Sequence, residues 1–540
     1  MSRLTRRSPH EYELLPRASD EADDDVLALR RTSSQPSWLN RLACRIPGVD
    51  KLSDRAIYTH YVTPRRRKRS VIRLIYWSIF SVPYILLVLV LVAGIFFPSY
   101  TTRPAHYTEL RQRALKTTTP GRGNPYNEKV FIAAALSEEK GHLTSGAWGR
   151  AVLHLVDLLG PENVYLSLYE DNTDAETKLS LTEFRRKTNC NASIVYEDLD
   201  LSTLPRITLP TGETRLKRIA FLAEVRNRAL DPIDSNGVKF DKILYLNDVI
   251  FDPIEATQLL FATNIDSTGR ANYAAACAVD FIMPFKFYDR FATRDLDGLV
   301  TGLPFFPWFS SAGTGTSRKE VIAGKDAVQV RSCWGGMTAF EAKWFQDPAA
   351  IGRKRKPANV STDAARISPN PQVAPLRFRY ETDTFWESSE CCLINADLQY
   401  RRTGKGMPAE SGIYLNPFVR VAYDETTLKW LSFIRRPERL YSPIHDILNY
   451  FVGFPERQYR GPEEPGTTVT DAVWTYDDPA RGFAANATQA DLKGHYAEVT
   501  RTAEPGSFCG GPNLLVINEK PEHGEGAWSK IFPPRPPNRR

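Results

Sequence analysis

From residue 129 onward, short apolar runs alternate with longer stretches in which apolar residues recur every three or four positions. "KVFIAAAL" (129–136) reads as a buried strand. "SGAWGRAVLHLVDLLG" (145–160) follows with helical spacing at Trp148, Val152, Leu155, Val156 and Leu159, and a glycine closes it. "NVYLSLYEDNT" (163–173) is a second strand with an acidic end, "TEFRRKTNC" starts a second helical region, and "NASIVYE" (191–197) is a third strand. Residues 214–230 predict a helix with Thr214 as N-cap and an apolar stripe at Leu216, Ile219, Leu222, Ala223 and Leu230. Residues 242–247 predict the next strand. This alternation predicts an α/β fold, a mostly parallel sheet flanked by helices.

Upstream lies a different pattern. "LIYWSIFSVPYILLVLVLVAGIFF" (74–97) carries no charge and is long enough to cross a hydrocarbon core of ~30 Å. Pro83 within it is tolerated in membrane helices. "PRRRKRS" (64–70) precedes it, and positive residues stay on the cytoplasmic side. The division predicted is a largely disordered cytosolic tail over 1–70, a signal anchor over 71–97, a polar stem over 98–128, the main domain over 129–455, and an extension over 456–540 packed on that domain. The extension has two strand-like runs, "TVTDAVWTY" and "NLLVINE".

Composition adds little: 42% apolar and 25% charged residues suit a mostly globular chain, and a net charge of +7 supplied largely by the run before the span does not imply nucleic acid. The N-x-S/T sequons at Asn191, Asn359 and Asn486 all follow the span, as do six of the seven cysteines. An oxidising lumen permits disulfides among those six, but their pairing is open.

Five places carry candidate chemistry. In "FDKILYLNDVIFDP" (240–253) the apolar strand stops at Asn247-Asp248. Ligands of open α/β sheets bind at the carboxyl ends of strands, and a fixed carboxylate there suits a hard divalent cation; an Asx turn has the same appearance. In "TRLKRIAFLAEVRNRAL" (214–230) the arginines, Arg218 and Arg226 among them, suit phosphate, or else form a solvated basic face. In "RSCWGGMTAF", Trp334-Gly335-Gly336 marks a close backbone approach beside an aromatic face, or a tight turn next to a core tryptophan. In "WESSECCLINADL", Glu390 is a helix-start carboxylate or a catalytic one, with Asp383 and Glu387 as nearby alternatives. His445 in "SPIHDILNY" is a lone histidine.

Together, "AEVRNRALDP", "FDKILYLNDVIFDP", "AAACAVDFIMPFKFYDRF", "RDLDG", "RSCWGGMTAF" and "SSECCLINADL" resemble the fungal capsule-associated α-1,3-mannosyltransferases of glycosyltransferase family 69, over roughly residues 129–455. The resemblance implies a single-pass type II Golgi membrane enzyme of GT-A-like, Rossmann-like fold. It implies GDP-mannose as donor, Mn2+ or a similar cation, and an α-mannoside acceptor. By that resemblance Asp248 binds the metal with His445 as a further ligand, and Arg218, Arg226, Asn227, Asn247, Trp334, Gly335 and Gly336 meet the donor. Asp280 and Arg294 meet the acceptor, and Glu390 is the catalytic carboxylate of a retaining reaction. Val249 follows Asp248 where GT-A enzymes usually have a second carboxylate. Another sugar nucleotide, such as UDP-xylose, and a non-catalytic glycan-binding role are the alternatives.

Overall fold

The computed structural model describes residues 71–171, 173–208, 214–352, 375–455, 459–476, 494–519 and 526–533. The expectations for the tail before residue 71, and for Asn359 and Asn486, lie outside them. The described chain falls into two units, one ending at Val92 and one starting at Ala93.

The first is most of helix α1 (Val71–Phe96), with Pro83 inside it. Residues Ile75–Phe96 are long and apolar enough to cross a membrane, and nearly all their side chains are exposed.

The second unit is built on one ten-stranded sheet. Its strands are β1 (Val130–Leu136), β2 (Val164–Asp171), β3 (Asn191–Glu197), β4 (Lys242–Leu246), β5 (Ala275–Met283), β6 (Lys286–Phe287), β7 (Arg294–Asp295), β8 (Val328–Ser332), β9 (Met337–Glu341) and β10 (Ile413–Ala422). Their order is β3-β2-β1-β4-β9-β5-β10-β8-β7, with β6 beside β5. β9, β8 and β6 run against the rest, so seven of the ten strands share one direction. The expected α/β layering is present. β1 and β4 are almost pure apolar runs because neighbours cover them on every side, as a central parallel pair requires.

Its helices of seven residues or more are α2 (Ala105–Lys116), α3 (Ala147–Leu159), α4 (Ala175–Lys187), α5 (Arg218–Leu230), α6 (Pro253–Ala262), α7 (Thr316–Ile322), α8 (Glu390–Thr403), α9 (Glu425–Ile434) and α10 (Tyr441–Val452). α5 packs on β1 and β2, and α6 on β5 and β10. α4 starts at Asp174, whose carboxylate accepts from the Thr177 amide.

Two stretches differ from the local pattern. The expected stem contains α2, whose Tyr107 and Leu110 are buried. Tyr107 accepts at its hydroxyl from Asn416 (2.6 Å) and at its carbonyl from Gln258 (3.0 Å). This segment is part of the domain. Residues Thr214–Lys217 form a strand, and the helix begins only at Arg218. The cause is remote: Leu216 and Lys217 pair with Ile517 and Val516 in a second sheet made with Arg206–Thr208 and Trp528–Ile531. Thr214 therefore caps nothing, and Arg215 donates to Asn518 instead (3.0 Å).

The two strand-like runs of the extension are strands, at Thr468–Tyr476 and Leu514–Ile517. The extension is tied to the main domain by the Cys392–Cys509 disulfide and by pairing of Glu387 and Ser388 with Gly511 and Gly510. A second disulfide, Cys277–Cys333, links β5 to the residue before Trp334. Cys190 and Cys391 are free.

Candidate active site

β4 ends where β9 begins, and that meeting fixes the Asn247-Asp248 turn. The Asn247 amide donates to the Gly336 carbonyl (2.8 Å), and its own carbonyl accepts from Trp148 Nε1 in α3 (2.9 Å). Its side-chain oxygen accepts from Trp334 Nε1 (3.0 Å) and Arg226 Nη1 (3.2 Å). Both lone pairs of that oxygen are used, so Asn247 is a hub rather than a metal ligand.

Gly335 and Gly336 make the turn possible. Both have positive φ, +57° and +65°. A Cβ on Gly335 would lie 1.9 Å from the Ala278 carbonyl oxygen, and one on Gly336 2.6 Å from a Val249 methyl. The close approach expected here is to β5 and to Val249. Trp334 is buried with one face under Arg226, whose guanidinium carbon is 4.6 Å from the ring centre, so no open face remains for a sugar.

Arg226 lies on α5, a helix buried almost throughout. Its Nε donates to Glu390 Oε1 (2.9 Å), joining α5 to the first turn of α8. Glu390 follows the N-cap Ser389, where the helix dipole favours a carboxylate. The hydrogen bonds of its carboxylate to described residues both end on Oε1. Asp383 and Glu387 are engaged elsewhere, Asp383 with Arg460 (2.7 Å) and Glu387 with Lys217 (3.0 Å). Asn227 is also structural: its amide group and the Phe378 backbone exchange two hydrogen bonds (2.9 and 2.8 Å).

Two charges at this site have no partner among the described residues. Asp248 is half-buried and makes no hydrogen bond or ion pair to another residue. Burial raises its carboxyl above the usual range, with Arg226 pulling the other way. Arg218 is buried at the start of α5, its guanidinium carbon 4.8 Å from the Trp528 ring centre and unpaired. Burial lowers its pKa, opposed by Glu390. Asp248 thus lies within electrostatic reach of Arg226, and Arg226 within reach of Arg218.

An acidic pair adjoins. Asp280 on β5 is fully buried and accepts from Tyr423 Oη (3.1 Å) and from the Asp289 amide (3.1 Å). Asp289 accepts from the amides of Ala292 (3.1 Å) and Gly335 (3.2 Å). Burial raises both carboxyls, and their mutual repulsion raises Asp280 further. Asp289 also feels Glu390, and Tyr423 feels Asp248. Asp289 and Tyr423 are site residues that sequence reasoning did not single out. The only signal was the run "VDFIMPFKFYDRF", which holds both aspartates.

Two expected site residues lie apart. Arg294 is buried and clamps backbone carbonyls, those of Phe508 (2.9 Å) and Cys509 (2.7 Å) among them. It fastens the extension and offers nothing to an acceptor. His445 is not brought to Asp248 by any contact. Its Nδ1 accepts from Arg318 (2.9 Å), which leaves Nε2 to donate to the Leu303 carbonyl (3.0 Å). No lone pair is left for a cation. Asn191 is exposed at the start of β3.

For a metal, the test is the donor set. Among the described residues no three His, Cys, Asp or Glu side chains converge. One free carboxylate at the turn fits a hard cation held mostly by water and a substrate's phosphates.

Residues 129–397 match the model of the family described as cryptococcal mannosyltransferase 1. That segment, just under half of the chain, is of this family, which makes the protein a glycosyltransferase of the mannosyl-transferring kind, built on an α/β fold with a mostly parallel sheet. No curated protein matches it. Among solved structures it is similar to the mannosyltransferase PcManGT from Pyrobaculum calidifontis, in complex with GDP-Man and Mn2+, at 10% identity and a TM-score of 0.29, over 68% of this chain and 74% of that one. It is also similar to mannosyl-3-phosphoglycerate synthase from Rubrobacter xylanophilus, at 12% identity and a TM-score of 0.27, over 74% of this chain and 98% of that one.

Proposed function

We propose that the protein is a retaining α-1,3-mannosyltransferase that moves mannose from GDP-mannose to an α-mannoside acceptor in capsule or glycoconjugate synthesis. The observation that carries the reading is the pair of charges with no partner among the described residues, Asp248 and Arg218, near a turn held by the Arg226–Glu390 ion pair.

Asp248 is the residue that would hold a divalent cation such as Mn2+, which supplies charge to the donor diphosphate as its bond to the sugar breaks. Arg218 adds a second positive group for the same phosphates. Asn247 is fixed by Trp334 and Arg226 and keeps the turn in place. Glu390, with one oxygen held by Arg226 and the other uncommitted, is the carboxylate that stabilises an oxocarbenium-like centre. Because the donor sugar is α-linked and an α product is expected, configuration is retained. α1 and the basic run before it agree with a type II anchor in the Golgi membrane and a lumenal catalytic domain.

The experiment is a transfer assay with purified protein and an α-mannoside acceptor over a panel of sugar nucleotides including GDP-mannose and UDP-xylose, followed by NMR of the product's anomeric proton. Turnover with GDP-mannose and an α linkage are expected. Preference for another donor, or a β linkage, overturns the reading.

A further inference from the structure

α10 is amphipathic in the wrong sense for a helix in water. Its inward side is polar: His445 is fully buried and Asn449 nearly so. Its outward side is a stripe of Ile444, Ile447, Leu448 and Phe451, spaced i, i+3, i+4 and i+7. Ile447 is 56% exposed and Phe451 77%. On α9, Trp430 and Phe433 are exposed as well and meet edge to face at 5.9 Å. Scattered exposed apolar residues need no explanation, but a continuous apolar helix face over a polar inner face marks an interaction surface.

The polar inner face is firmly built. Arg318 on α7 donates to Ser442, His445 and Asp446, at 3.0, 2.9 and 2.8 Å. The helix is thus held with its apolar stripe outward.

What covers that stripe follows from where the chain enters the domain. Just past the end of α1, the Ser99 amide donates to the carbonyl of Arg435, the residue that ends α9 (3.2 Å). Arg435 donates back to the Tyr100 carbonyl (3.2 Å). The Tyr100 hydroxyl donates to the Val321 carbonyl on α7, the same short helix that holds α10 (2.9 Å). The first residues after the apolar span are therefore bonded to the residue that ends α9 and to α7, the helix that holds α10. Arg436 and Arg439, in the link between α9 and α10, are exposed and basic, as suits lipid phosphates.

We propose that α10 lies in the interfacial layer of the bilayer from which the chain emerges, its Ile444–Phe451 stripe among the lipid chains and the α9–α10 link at the headgroups. This rests on the reading that α1 spans the membrane.

The test uses the full-length chain in phosphatidylcholine vesicles. A polarity-sensitive fluorophore is placed at Ile447→Cys, with Phe451→Cys as a second position. Leu179→Cys, exposed on α4, and Leu86→Cys, within α1, are references, and the chain without an added cysteine gives the background. Quenching by nitroxide-labelled lipid is compared with quenching by iodide. The lipid quencher is expected to act about threefold more strongly at 447 and 451 than at 179, with iodide acting less, as for a helix seated in the interface. Labels at 447 and 451 that behave like that at 179 overturn the proposal. Labels shielded from both quenchers also overturn it, in favour of a covering protein. A label at 86 that lipid does not quench refutes the span and is read separately.

Discussion

Arg226 Nε donates to Glu390 Oε1 at 2.9 Å, with both side chains buried. The pair joins the helix that follows the second sheet to the first turn of the helix that begins at Glu390, and the same guanidinium reaches Asn247 and covers Trp334. Breaking a buried pair by removing one partner costs about 3–5 kcal/mol. Arg226→Ala should therefore lower stability on that scale in urea unfolding. Glu390→Gln keeps the shape and removes the charge, so it should stay folded, still bind GDP and lose most turnover. A Glu390→Gln enzyme of normal rate would confine Glu390 to holding Arg226.

Asp248 behaves differently because nothing in the described protein pairs with it. Asp248→Ala should leave the unfolding midpoint unchanged or slightly raised, while transfer is abolished and donor binding in Mn2+ weakens. Excess chelator on the unmodified enzyme should have the same effect, reversed by added Mn2+. Full activity in chelator would exclude the cation role.

Arg218 is a buried cation without an ion-pair partner among the described residues. Losing a charge-assisted bond to phosphate costs about 1.5–3 kcal/mol, roughly a tenfold to hundredfold loss in donor use. Arg218→Ala should show that loss in kcat/KM for the donor without loss of stability. Arg218→Lys should recover only part of it, because the forked donor geometry is gone. Equal kinetics for all three proteins would leave Arg218 as packing on Trp528.

His445 gives a pH prediction. Burial first, and then Arg318, push its imidazole down to about 4. The folded state thus binds fewer protons than the unfolded chain between that value and the usual one near 6.5. Its contribution to stability is present above about 6.5 and is lost as pH falls toward 4. Urea midpoints should decline over this window, and His445→Gln should flatten that decline. A chelator should not change the profile, since neither ring nitrogen is free for a metal.

The boundary of the folded unit is testable by truncation. A chain starting at residue 98 retains Tyr100 and α2 and should fold. One starting at residue 126 loses Tyr107, fully buried and bonded to Asn416 and Gln258. Loss of a buried aromatic alone costs about 3–5 kcal/mol, so the shorter chain should melt well below the longer one. Equal melting temperatures would return residues 98–125 to the role of a stem.

The sequence alone determined what local patterning can carry. An uncharged run of spanning length, apolar strands alternating with amphipathic helices, and a strand halted at Asn247-Asp248 all report burial that neighbouring residues share, so periodicity displays them. The tertiary structure alone decided what depends on distant partners. Thr214–Lys217 became a strand because its partner lies some three hundred residues away. Arg294, expected near an acceptor, was drawn to the carbonyls of Phe508 and Cys509. Cys277 found Cys333 and Cys392 found Cys509 among six cysteines that spacing could not pair. Asp280, Asp289 and Tyr423 met because β5 and β10 lie side by side in the sheet. In α10 the period was visible in the sequence, but its sense was not. Periodicity gives a helix two faces; only the packed neighbours, Arg318 above all, decide which of them turns inward.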